Sequence, residues 1–121
     1  MERTLSTGGA TFTITARQEG REWIAEARRE GRRDNHGPVF RAETPEAALD
    51  RCAAWLGWQQ EHEAALVALQ EAERVYQRAV AAGAFAPPGD GPGPEVASEA
   101  LQDMEAARVR LEEIRRRQPA A

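Results

Sequence analysis

Few side chains in this sequence could carry chemistry, and they are scattered. His36 and His62 are the only histidines, Cys52 is the only cysteine, and all sixteen basic residues are arginine. A metal site on a helix needs further ligands about three or four residues from the first. Around His62 those places hold Trp58, Gln59, Ala65 and Leu66, so no ligand set forms. His36 sits in Asp34-Asn35-His36, a turn sequence. A single cysteine allows neither an internal disulfide nor a multi-thiol zinc site. Cys52 falls on an apolar helix flank and reads as a small hydrophobe. Ser6, Ser98 and the threonines have no histidine–carboxylate company that can be assigned. Gly89-Asp90-Gly91-Pro92-Gly93 precedes a helix, yet its prolines and the lack of a preceding strand make it a connector rather than a phosphate loop. The expectation is a non-enzyme without cofactor or metal.

One cluster has functional colour. Arg28, Arg29, Arg32, Arg33 and Arg41 surround one strand end and its loop, and five guanidinium groups there could bind phosphate or an acidic partner. Glu26, Glu30, Asp34 and Glu43 interleave with them, which favours a solvated, salt-bridged loop. The formal net charge is −4. Residues 1–44 hold eight arginines against seven carboxylates, and residues 45–121 hold eight against thirteen. An acidic C-terminal part argues against wrapping nucleic acid with the helices.

The elements that position these residues begin with a long helix from Thr44 to Gly83. Thr44 is a good N-cap, Pro45 suits the first helical position, and Glu46 favours the positive end of the dipole. Gly83 supplies a stop and Pro87-Pro88 forbids continuation. Gly57 costs roughly 1 kcal/mol against alanine and marks either a kink or the close approach of another backbone. Trp58, His62, Ala65, Leu69, Ala72, Tyr76 and Ala79 follow one seam at a 3-4 spacing.

Ahead of the helix, Met1 to Gly9 reads as a loose lead-in. Thr11 to Ala16 alternates strictly, with Phe12, Ile14 and Ala16 on one face. After the Gln18-Glu19-Gly20 turn, Trp23, Ala25 and Ala27 resume the alternation, and Ile24 is the exception on the polar face. Val39 to Glu43 is a short third strand in which Phe40 and Ala42 share a face. This ββ(β) sheet needs a cover, and the nearest is Ala48, Leu49, Cys52, Trp55 and Leu56.

Behind the long helix, Pro94 opens a second one. Ala97, Ala100, Met104, Ala107, Leu111 and Ile114 recur at heptad spacing. An antiparallel hairpin of residues 62–83 against 95–116 follows, and Gln118 to Ala121 is expected to fray. The fold class is α+β: an N-terminal antiparallel hairpin or three-stranded sheet, a long helix and an antiparallel C-terminal helix. At 121 residues this is one domain, with a sheet-plus-helix unit at 10–56 and a helical extension at 57–117.

The order strand, Glu19-Gly20 turn, strand, loop, short strand, then Glu43-Thr44-Pro45-Glu46-Ala47-Ala48-Leu49 resembles the opening of HicB-type antitoxins over residues 11–56. The resemblance implies a sheet–helix domain that binds a small toxin; the helical hairpin departs from that pattern.

A thin hairpin invites self-association. Trp58, Leu69, Tyr76, Met104 and Leu111 are the candidate contacts of a homodimer or of a small protein partner. The functional expectation is therefore a protein-interaction and assembly module. The alternative is a nucleic-acid-associated, antitoxin-like regulator acting through the arginine loop. A 41% apolar and 30% charged composition fits a folded chain rather than a disordered one. No apolar run approaches the ~20 residues of a membrane span and no signal-peptide core is present, so a cytoplasmic setting is expected. Arginine without lysine points to a GC-rich, bacterial-type composition.

Overall fold

The computed structural model describes residues 1–85, 89 and 93–120. It is α+β. Four strands, β1 (Glu2–Thr7), β2 (Ala10–Glu19), β3 (Glu22–Arg29) and β4 (Phe40–Ala42), precede α1 (Pro45–Phe85) and α2 (Pro94–Arg116). The strands form one antiparallel meander in the order β1-β2-β3-β4.

The first strand corrects the lead-in expected at Met1 to Gly9. Gly8 and Gly9 take φ of 59° and 78°, the paired positive values of a tight hairpin turn, and Glu2 to Thr7 pairs in register with Thr15 to Ala10. Sequence alternation hides this strand because Leu5 is its only apolar side chain. At the next turn Gly20 takes φ of 65° and Glu19 pairs with Glu22, so β2 runs two residues into the expected Gln18-Glu19-Gly20 turn and the bend falls at Gly20-Arg21.

One face of the sheet makes the core. Phe12, Ile14, Ala25 and Phe40 are buried against Ala48, Leu49, Cys52 and Leu56 of α1. Each fully buried Phe, Leu or Ile contributes about 1.5–3 kcal/mol. The cap that starts α1 is present: the Thr44 hydroxyl accepts from the Ala47 N–H at 3.1 Å. The helix is unbroken at Gly57 and also runs through Gly83 to Phe85, so Gly83 does not end it. Gly83 is not among the positive-φ glycines, and it therefore stays helical instead of turning the chain out. The expected Pro87-Pro88 stop lies outside the described residues.

The chain divides into two compact units, Met1–Glu61 with the residues from Arg117, and His62–Arg116. The second is a helical hairpin. Ala65 and Leu69 of α1 and Ala100, Met104, Leu111 and Ile114 of α2 are its buried residues. Arg115 Nε donates to His62 Nε2 at 3.2 Å, which sets the end of α2 beside the start of this stretch of α1 and makes the pair antiparallel. In the tail expected to fray, Arg51 Nη2 donates to the Ala120 carbonyl at 3.2 Å; Ala121 lies outside the described residues.

Candidate interaction surfaces

Residues of α1 clamp two connections of the sheet. His36 Nε2 donates to Gln59 Oε1 at 2.7 Å, and the His36 ring lies 4.9 Å from that of Phe12. Gly37, at φ 86°, lies directly against the Trp55 ring, and Gly8 lies against the Gln60 side chain. His36 thus works as a loop clasp. Among the described residues no three His, Cys, Asp or Glu side chains gather to hold a metal ion. The Cys52 thiol is buried in the core, and burial pushes its pKa up to about 11. A thiol that stays protonated is neither a nucleophile nor a ready metal ligand at neutral pH.

The opposite face of the sheet is uncovered. It carries Thr4, Ser6, Thr11, Thr13 and Thr15 beside Arg17, Glu26 and Arg28. Ile24 lies on this face and is nevertheless only 2% exposed. Its cross-strand neighbours are Arg17 and Arg41, whose aliphatic stems flank it. The heads of both arginines are tied down: Arg17 meets Glu26 at 3.0 Å, and Arg41 reaches Glu22 at 3.6 Å and Glu19 at 3.9 Å.

Arg41 is therefore not part of the arginine cluster expected at the loop. It pairs across from Ile24, at the other end of β3 from Arg28 and Arg29. The remaining four behave differently from the salt-bridged loop that the interleaved carboxylates suggested. Among the described residues no carboxylate lies within 4.0 Å of Arg28, Arg29, Arg32 or Arg33. A hydrogen bond from the Arg32 N–H to the Arg29 carbonyl at 3.0 Å closes a turn, with Gly31 at φ 82°. That turn needs glycine at its third position and brings its end residues to about 7 Å or less. Arg28, Arg29 and Arg32 then line a depression of about 520 Å³ together with Thr13, Thr15, Arg17, Glu2, Glu26, Glu30 and Gly31.

Of the residues expected to contact a partner, Leu69, Met104 and Leu111 are buried inside the hairpin of a single chain, with Leu111 only 2% exposed. Trp58 is half-buried with its ring 6.3 Å from that of Trp55, and Tyr76 is half-buried on α1. The hairpin still exposes Val67, Val75, Val80, Val96, Leu101 and Val109.

The edge of the sheet at β1 was missed with the strand itself. Met1 and Ala16 exchange both backbone hydrogen bonds, at 2.8 and 3.2 Å. Paired bonds alternate along an antiparallel ladder, so the N–H and C=O groups of Glu2, Thr4 and Ser6 face away from β2. Arg3 Nη1 bonds Asp50 Oδ1 at 2.7 Å, which sets the Asp50 flank of α1 on the β1 side. Helical spacing puts Ala53 and Gly57 on that flank, and a β-carbon built at Gly57 would meet nothing within 4 Å. No helix among the described residues is long and apolar enough to cross a membrane. No family model matches this chain, and no curated protein or solved structure matches it.

Proposed function

We propose that the chain is a small non-enzymatic interaction module, cytoplasmic in setting, that assembles with a second copy of itself. The open edge of β1 carries this reading. The strand is continuous, without bulge, proline or lysine to discourage pairing. A second β1 laid antiparallel with Thr4 opposite Thr4 sets Glu2 opposite Ser6 and Arg3 opposite Leu5. No like charges then face each other, and the free groups of Glu2, Thr4 and Ser6 find partners. Small Ala53 and open Gly57 on the adjoining helix flank leave room for the incoming copy.

The exposed apolar side chains of the helices are the rival contact surface. Leu66 and Val80 stand two heptads apart on α1, and Leu101 is exposed on α2. Leu69, Met104 and Leu111 are already engaged within the chain, so Leu111→Glu would unfold the hairpin instead of reporting on assembly.

Solution mass by light scattering tests the proposal. Thr4→Pro removes an outward N–H and leaves the β1–β2 ladder intact, because Thr4 does not donate to β2. The expected result is a dimer that Thr4→Pro converts to monomer and Leu101→Glu leaves unchanged. The reverse pattern moves the contact to the helices. A monomer at every concentration of the unaltered chain discards the proposal.

A further inference from the structure

We infer that the depression at the end of β3 is a phosphate-binding site, taking the phosphate groups of a polyanion without reading any base attached to them. Four observations meet there. Arg28 and Arg32 line it with no carboxylate within 4.0 Å of either among the described residues, although the chain as a whole is acidic; Arg29 also borders it but leaves β3 on the face of its partner Phe12. Arg33 adjoins them in the chain and likewise meets no carboxylate within 4.0 Å among the described residues.

The Thr13 and Thr15 hydroxyls lie on the same floor, Thr13 directly across from Arg28 in the β2–β3 register. Guanidinium and hydroxyl donors converging on one spot match the several acceptor oxygens of a phosphate. The Gly31 turn fixes the two ends of the cluster relative to each other, so the charge is presented by a built loop and not by a mobile tail.

The volume selects among anions. At about 520 Å³ the depression falls in the ~300–1,000 Å³ range of small-ligand sites and exceeds the need of one inorganic oxyanion. Three carboxylates also line it. Glu26 is neutralised by Arg17 at 3.0 Å, which leaves Glu2 and Glu30 as the other acidic lining residues. A singly charged carboxylate ligand gains little against them, whereas a chain of phosphates carries enough charge to engage several guanidinium groups at once. The face holds no aromatic side chain, so stacking on a base supplies nothing. Recognition is of the phosphates, whether they come from free polyphosphate or from a nucleic-acid strand. The site lies on the open face of the sheet, shares only Glu2 with β1, and takes its arginines and threonines from β2, β3 and the loop after β3.

The test is a titration of the full-length, isotope-labelled chain at low salt, followed by amide chemical shifts. Sodium tripolyphosphate and a short single-stranded oligonucleotide are the probes. Saturable shifts at Thr13, Thr15 and Gly31 are expected, with affinity falling as salt rises. Arg28→Gln combined with Arg32→Gln should weaken tripolyphosphate about tenfold or more. Glu30→Gln should tighten it, and this variant keeps the test decisive if the double variant loses its fold. Arg110→Gln on α2 serves as the unaffected control. Binding of both probes supports the site with a strand as its source, and binding of tripolyphosphate alone supports it with free polyphosphate as the source. Shifts spread evenly over the chain, an unaffected double variant, or binding of the oligonucleotide without tripolyphosphate each overturn it.

Discussion

His36 Nε2 donates to Gln59 Oε1 across 2.7 Å, and this single bond ties the long β3–β4 connection to α1. The next residue makes the attachment tighter. Gly37 takes φ of 86° with the Trp55 ring against its α-carbon, so a methyl group there meets both backbone strain and a clash. Gly37→Ala should lower unfolding stability by about 2 kcal/mol or more, measured by urea denaturation. Gln59→Ala, which only releases the histidine, should cost about 0.5–1.5 kcal/mol. An unchanged urea midpoint for Gly37→Ala would contradict this packing.

Gly57 gives the opposite expectation. It is interior to an unbroken helix, and nothing lies within 4 Å of the β-carbon it lacks. Gly57→Ala should therefore stabilise the chain by roughly 1 kcal/mol at a concentration where it is monomeric. Thermal melts of the two proteins decide the matter; destabilisation would mean that the helix approaches something at this position.

Cys52 makes stability depend on alkaline pH. Its pKa rises from 9.0 to about 11 because burial disfavours the thiolate. Between these values the unfolded chain has lost a proton that the folded chain keeps, so stability is full below pH 9 and declines as pH rises toward 11. At 1.36 kcal/mol per unit the whole effect is about 2–3 kcal/mol. Cys52→Ala should flatten this part of the stability–pH profile. A thiol reagent should label the unaltered chain at neutral pH only as fast as it opens.

The arginines of the open sheet face separate into two kinds. Arg41 covers Ile24 with its stem while Glu19 and Glu22 hold its head. Arg41→Ala should cost about 1 kcal/mol, and Arg41→Met, which keeps the stem, should recover most of it. Arg28→Ala should stay within about 0.5 kcal/mol of the unaltered chain, since its head contacts no carboxylate among the described residues. Equal losses for Arg41→Ala and Arg28→Ala in chemical denaturation would refute the division.

Local patterning determined much of this molecule. Thr44 as cap, Pro45 and Pro94 as first helical residues, and the seam Ala97, Ala100, Met104, Ala107, Leu111 and Ile114 are properties of neighbouring residues, and the fold keeps all of them. The alternation of Phe12, Ile14 and Ala16 likewise named the buried face of β2, because a strand with one wet face writes its period into the sequence. The first strand was illegible for the converse reason: an edge strand with Leu5 as its one apolar residue leaves almost no pattern. Only the tertiary structure decided which charges are spent. Arg17, Arg41 and Arg3 find carboxylates through strand register and the docking of α1, at separations the sequence does not encode, while Arg28, Arg29, Arg32 and Arg33 find none among the described residues. Pairing between distant side chains is a consequence of register, and register is settled when the sheet closes over its core.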